Sequence, residues 1–235
     1  LGTAHAILCA KSALTGPVTV AFADTLFRAD FTLDQSKDGV LWVQRIEDPR
    51  QFGVVVMDEQ GVIREFVEKP QTWVSDLAMI GIYYFKQGEV LRDELQYLID
   101  HQIMNSGEYQ LPDALRNMVN KGMQFVPGTV QDWMDCGNKA AMVDTNTKYL
   151  GYHGKQDWID PSVQLENALI VPPCYIGKNV RLVNTVVGPG VSIGHDVVVE
   201  NSIMRDAIVM DGARVSKAVI KDAMIGRSAH VKGTE

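Results

Sequence analysis

After Asp160-Pro161 the chain repeats itself, and the repeat restricts its fold more than any other feature. Four segments, Asn167-Ala168-Leu169-Ile170, Asn184-Thr185-Val186-Val187, Asn201-Ser202-Ile203-Met204 and Lys217-Ala218-Val219-Ile220, recur at spacings of 17, 17 and 16 residues. A second series begins at Ile176, Ile193, Val209 and Ile225, with spacings of 17, 16 and 16, and carries Gly, Asp or Asn in its turns. Each such coil can turn one or two aliphatic side chains inward. It cannot bury them alone, so coils must stack into a parallel β-helix. An ordinary antiparallel β domain with coincidental spacing is the alternative, and two series in one register weigh against it.

The first part of the chain follows another pattern, in which strand-like and helix-like stretches alternate. Val18–Ala23 is a short apolar run ending at Asp24, as expected of a buried parallel strand. Val40–Ile46 and Ala78–Phe85 are further strand candidates, and 53–57 with 62–67 flank an Asp58–Gly61 turn as a hairpin. Ala4–Ala13, Leu111–Asn120 and Lys139–Tyr149 have helical spacing, with Pro112 tolerable in a first turn. The expectation is an α/β domain with a mixed sheet over residues 1–152 and a β-helix over 153–235.

The formal net charge of −7 offers no basic patch for nucleic acid. No apolar run reaches the roughly 18 residues of a membrane span. Cys9, Cys136 and Cys174 are few and widely spaced, which predicts a reducing, cytoplasmic setting and neither a disulfide framework nor a zinc cluster. A polyanionic substrate would have to be held locally, by a cation, backbone amides and a few lysines.

Asp24 stands at a strand end, where open α/β sheets bind ligands, although turn or helix-capping aspartates look the same in sequence. Asp135, just ahead of a predicted helix, has the same two readings. Two such carboxylates suit Mg²⁺. Lys69, in Glu68-Lys69-Pro70, could neutralise a phosphate as a point charge or be a solvated surface lysine. Gly2 and Thr3 could admit a flat base. His5 reads as packing, and His195 and His230 as β-helix turn or surface residues.

In this order the pieces resemble the sugar-1-phosphate nucleotidyltransferase (nucleotide-sugar pyrophosphorylase) family, of the glucose-1-phosphate thymidylyl- or uridylyltransferase type. Leu1–Ala6 resembles its base-binding segment and Val18–Asp24 its first metal-ligand strand, with Ala23 where Gly is common. Glu47–Val54 resembles the segment that approaches the sugar, Val67–Pro70 the sugar-phosphate motif, and Trp133–Gly137 the segment of the second metal ligand. The resemblance implies a Rossmann-like catalytic domain with a left-handed, hexapeptide-type β-helix behind it. It also implies Mg²⁺ on Asp24 and Asp135, Lys69 on the sugar phosphate, Glu68 on a sugar hydroxyl, Gly53 against the sugar, Gly2 and Thr3 at the base, and Trp133 in the substrate site. The substrates would be an NTP and a hexose-1-phosphate. Base and sugar identity stay open, with thymidylyl or uridylyl transfer to a glucose-type sugar favoured.

The family's Gly-rich, Arg-containing triphosphate loop has no counterpart in these residues, because Gly188-Pro189-Gly190 is the one GxG and lies in the repeats. We expect that loop in a segment preceding Leu1. Two other readings stay open, a hexapeptide acyltransferase and a non-catalytic sugar-nucleotide-binding scaffold. The β-helix, whose end coils need capping, is expected to serve homo-oligomer assembly.

Overall fold

The computed structural model describes residues 1–29, 33, 36–152 and 158–233. The chain divides into two compact units, Leu1–Trp133 and Met134–Glu235.

The first unit is built on a six-stranded mixed sheet. Its strands are β1 (Val18–Ala21), β2 (Gly39–Arg45), β3 (Gly53–Met57), β4 (Ile63–Glu68), β5 (Leu77–Phe85) and β6 (Phe125–Thr129), in the order β1-β5-β2-β6-β4-β3. β2 runs parallel to β6 and antiparallel to β5, and β3 and β4 form the expected hairpin. Helices α1 (Thr3–Leu8), α2 (Gly88–Asp100) and α3 (Leu111–Asn120) supply Ile7, Leu91, Leu95, Leu98, Leu115 and Met118 to a core shared with Leu41, Phe66, Phe85 and Phe125. Val40, Trp42, Ile80, Ile82 and Tyr84 point the other way into a second cluster with Phe27, Val126 and Trp133. Burial on both faces explains why β2 and β5 are almost continuously apolar.

The expectation of a buried parallel strand at Val18–Ala23 is corrected. β1 pairs antiparallel with β5, Val20 opposite Tyr83, and is half-buried and exposed by turns. Among the described residues it lies at the end of the sheet, so it has neither a second strand neighbour nor cover on both faces. The expected Ala4–Ala13 helix is shorter, α1 followed by a 3₁₀ turn at Lys11–Ala13.

In the second unit, successive coils stack in parallel register: Leu169 on Val186, Ile203 and Val219; Gln164 on Arg181, Val198, Arg214 and His230; and Cys174 on Val191, Ala207 and Ala223. The β-helix thus has three parallel faces around a core of Ile176, Leu182, Ile193, Val199, Met204 and Val209. Burying each such side chain contributes about 1.5–3 kcal/mol, which an unstacked coil would forfeit. Its corners explain the repeat. Asn167, Asn184, Asn201 and Lys217 have φ of 48°, 49°, 48° and 51°, and Asn179, Asp196, Gly212 and Ser228 have φ of 57°, 57°, 68° and 53°. The left-handed conformation strains most L-residues and is tolerated best by Gly, Asn and Asp. Stacked asparagines also bond to one another, Asn167 Nδ2 to Asn184 Oδ1 at 2.9 Å and Asn184 Nδ2 to Asn201 Oδ1 at 3.3 Å.

Helix α4 (Lys139–Tyr152), placed at the end of the first domain by the sequence reading, belongs by packing to the second unit. Asn146 holds it there, donating to the Gly190 carbonyl at 3.1 Å and accepting from Ser192 Oγ at 2.6 Å. His195 is a turn residue, as expected, with Nδ1 accepting from the Lys178 amide.

Candidate functional site

Gly2 and Thr3 are fastened to the segment ahead of α3. Tyr109 N–H donates to the Leu1 carbonyl and Ala4 N–H to the Tyr109 carbonyl, both at 3.0 Å. Gly2 has φ 88°, and a Cβ there would stand 2.3 Å from the Tyr109 carbonyl oxygen, so no other residue fits. Thr3 Oγ1 accepts from Leu111 N–H at 3.0 Å and donates to Gln110 Oε1 at 3.2 Å, acting as a remote cap on α3. The chain's own backbone therefore already uses the close approach that Gly2 permits.

Asp24 follows β1 in a turn, exposed, and forms no hydrogen bond or ion pair with any described residue. No helix begins there, and a short strand, Thr25–Arg28, follows, so Asp24 is not a helix cap. A groove of about 700 Å³ runs beside β1 and α1, with Thr3 and Asp24 both on its wall.

A local backbone distortion lies at the end of β4. Lys69 has φ 44°, in the left-handed region, immediately before a buried proline. A non-glycine residue held there costs roughly 1–3 kcal/mol, and such strain concentrates at functional positions. Lys69 N–H is anchored on the Phe52 carbonyl at 3.1 Å, and its ammonium, 63 % exposed, lies 3.9 Å from Glu68 Oε1. Glu68 is opposite Gly53 in the hairpin. Burial pushes its carboxyl above the ordinary value of 4.5, the nearby Lys69 charge opposes that shift, and Asp113 and Glu108 add to it. Tyr83, fully buried on β5, is raised by burial and then by the charges of Glu68 and Asp24. One buried phenol thus feels both carboxylates, which puts Asp24 and Glu68 within electrostatic reach of the same point.

Trp133 packs edge-on against Phe52, ring centroids 5.1 Å apart, and its indole Nε1 is buried without an acceptor among the described residues. Asp135 lies in the second unit. Its Oδ1 accepts from Gly137 N–H at 2.9 Å, closing a tight turn, while Asn138 Oδ1 accepts from Ala141 N–H and caps α4. The capping role that sequence allows for Asp135 falls to Asn138 instead.

Sequence reading passed over Tyr83, Glu108 and Asp113. Asp113 is 8 % exposed, bonds Arg116 at 2.7 Å and leaves Oδ2 without a partner among the described residues. Its place in the first turn of α3, after Gln110-Leu111-Pro112, was the available signal. Among the described residues no three His, Cys, Asp or Glu side chains cluster as a metal site. Among the described residues no disulfide joins Cys9, Cys136 or Cys174, and no helix is long and apolar enough to cross a membrane.

Fold and side chains together define an α/β protein whose strand ends carry a free carboxylate and a strained lysine, joined in one chain to a parallel β-helix. Residues 1–151 match the nucleotidyl transferase family, and the chain belongs to it. It is 29 % identical to the bifunctional protein GlmU of Methanococcus aeolicus over 73 % of this chain and 43 % of that protein. It is 26 % identical to the glucose-1-phosphate thymidylyltransferase of Streptomyces griseus over 98 % of this chain and 70 % of that one. The mannose-1-phosphate guanylyltransferase catalytic subunit beta of Xenopus tropicalis is 29 % identical over 76 % and 51 %. The chain thus spans about half the length of several relatives. The nucleoside-diphosphate-sugar pyrophosphorylase of Vibrio cholerae RC9 shares the fold, with a TM-score of 0.52 and 21 % identity over 61 % of this chain and 64 % of that one.

Proposed function

We propose that the full-length protein transfers a nucleotidyl group from an NTP to a hexose-1-phosphate, releasing pyrophosphate. The observation that carries this reading is Lys69, a lysine locked in a strained conformation beside the half-buried carboxylate of Glu68. A sugar phosphate oxygen attacks the α-phosphorus in line, and pyrophosphate leaves. The nucleophile is already anionic, so no general base is required, and catalysis rests on positioning and charge neutralisation. Lys69 holds the sugar phosphate, and Glu68 accepts from a sugar hydroxyl. Gly53 leaves the strand surface open to the sugar, Gly2 and Thr3 set the base-side segment, and Trp133 brings an indole N–H that has no acceptor among the described residues.

The carboxylates fit Mg²⁺, because Asp24 has no hydrogen-bond or ion-pair partner among the described residues and Asp135 commits one oxygen to Gly137. Mg²⁺ takes one or two carboxylates with phosphate oxygens, so no larger acidic cluster is required. Asp24 and Asp135 would hold it, and it would supply charge neutralisation at the phosphates. Three cysteines, widely spaced in the sequence, are in keeping with a cytoplasmic setting.

A screen of four NTPs against glucose-, mannose- and N-acetylglucosamine-1-phosphate, following pyrophosphate, tests the reaction. We expect thymidylyl or uridylyl transfer to a glucose-type sugar, abolished by Asp135→Asn. Wild-type pyrophosphate release by Asp135→Asn would refute the metal assignment, and nucleotide-sugar binding without release would favour a scaffold.

We also infer homo-oligomer assembly through the β-helix. One of its faces carries Arg181 with Glu166 and Glu200, and α4 packs on another. The third presents Leu169, Ile203 and Val219, 57 %, 52 % and 81 % exposed, above the uncharged Asn167, Asn184 and Asn201. With no carboxylate in that row, two copies of a chain of net charge −7 can meet there. Ile203→Glu should halve the sedimenting mass or more, and an unchanged mass would exclude this face.

A further inference from the structure

Two neighbouring residues of α4 look in different directions. Thr145, only 5 % exposed, donates from Oγ1 to the backbone carbonyl of Asp135 at 2.6 Å. Asn146 spends its amide on the β-helix, through the Gly190 carbonyl and Ser192 Oγ. Buried residues of α4 are few, Val143, Thr145 and Leu150, and they form no continuous apolar stripe. Polar contacts therefore decide where the helix lies. Gly190 makes the approach possible, since a Cβ there would stand 2.8 Å from Thr147 Oγ1 and 2.5 Å from Asp206 Oδ1. Among the hydrogen bonds that shape the Asp135 turn are its own Oδ1 on Gly137 N–H and Thr145 on its carbonyl. The second ties it to α4, and through Asn146 to the β-helix.

We propose that Thr145 and Asn146 are positioning residues for nucleotidyl transfer, through which the β-helix sets the place of the Asp135 carboxylate. The inference rests on the reading of Asp135 as a metal-holding carboxylate. It gives the β-helix a role in the catalytic step besides assembly. A hydroxyl lost from Thr145 takes the Thr145 donor from the Asp135 carbonyl and loosens the turn's tie to α4, and a displacement of about 1 Å at a reacting centre can cost about a hundredfold in rate.

The test uses the full-length protein and four variants: Thr145→Val, Thr145→Ser, Asn146→Ala and, as a β-helix control away from α4, Ser216→Ala. Thr145→Val should lower kcat at least tenfold, with KM for hexose-1-phosphate changed less than twofold. It should weaken Mn²⁺ binding, read directly by titration of the protein with Mn²⁺, at least fivefold. Amide exchange of residues 135–138 should speed up. Thr145→Ser should restore all three readouts, Asn146→Ala should shift them in the same direction, and Ser216→Ala should leave them at wild-type values. A folded Thr145→Val with wild-type kcat, Mn²⁺ affinity and exchange would overturn the proposal while Asp135→Asn still abolished turnover. If Asp135→Asn itself retains turnover and Mn²⁺ affinity, the underlying reading fails instead. Should Thr145→Val not fold, Ser192→Ala decides by the same readouts: faster exchange at 135–138 supports the coupling and unchanged exchange overturns it.

Discussion

Gly53 and Glu68 face one another across the β3–β4 pair, and Glu68 Oε2 lies 2.8 Å from the point where a Cβ on Gly53 would stand. The space that Gly53 leaves empty is the space its cross-strand neighbour's carboxylate occupies. The other near atom is Met79 Cε at 2.5 Å, the end of a flexible side chain. Gly53→Ala can therefore be accommodated by moving Met79 and Glu68, at the expense of the carboxylate's position. We expect kcat/KM for hexose-1-phosphate to fall about a hundredfold while the thermal midpoint moves by only a few degrees, read by pyrophosphate release and calorimetry.

Glu68 also sets a pH dependence. Burial holds its folded pKa above 4.5, so the folded chain binds this proton more tightly than the unfolded chain. Its contribution to stability is then fullest below 4.5, declines as pH rises from 4.5 through the raised value, and is level above that. Denaturant unfolding at pH 4 and pH 7 should show wild type losing stability relative to Glu68→Gln as pH rises. A difference that grows in the opposite sense would contradict the buried environment.

Lys69→Gly should separate stability from function. Glycine relieves the left-handed strain, about 1–2 kcal/mol, and gives back roughly 0.5–1 kcal/mol through the freer unfolded chain. Stability should stay level or rise slightly. Loss of a charged phosphate contact, about 1.5–3 kcal/mol, should raise KM for hexose-1-phosphate ten- to a hundredfold. Steady-state kinetics beside thermal melts checks both.

Lys217 breaks the asparagine row, sitting at φ 51° where the coils before it have Asn167, Asn184 and Asn201. Lys217→Asn should stabilise the protein by about 1 kcal/mol, or roughly 2–4 °C in Tm, and leave turnover unchanged. A lower Tm would show that what lysine contributes there outweighs the backbone strain.

Much of the fold was legible because some residues bear on their own backbone. The corner residues of the β-helix could be read at fixed period, and the hairpin turn at Asp58–Gly61 is closed by Asp58 Oδ1 accepting from the amides of Gln60 and Val62. α2 was also legible in principle, since Leu91, Leu95 and Leu98 recur at helical spacing, yet the sequence reading assigned no element there. At the site, the strand-end position of Lys69 could be read from Pro70. The pressure of Glu68 and Asp24 on Tyr83 could not, because it joins residues brought together only by strand pairing.

By itself, the sequence determined the β-helix, the hairpin and the strand stop at Pro70, since each follows from backbone preferences within a few residues. Only tertiary structure decided that β1 runs antiparallel to β5, that α4 packs with the β-helix, and that Thr145 bonds the Asp135 carbonyl. Strand direction and helix docking depend on which distant surfaces meet, and a local pattern of apolar and polar residues is compatible with several such partners.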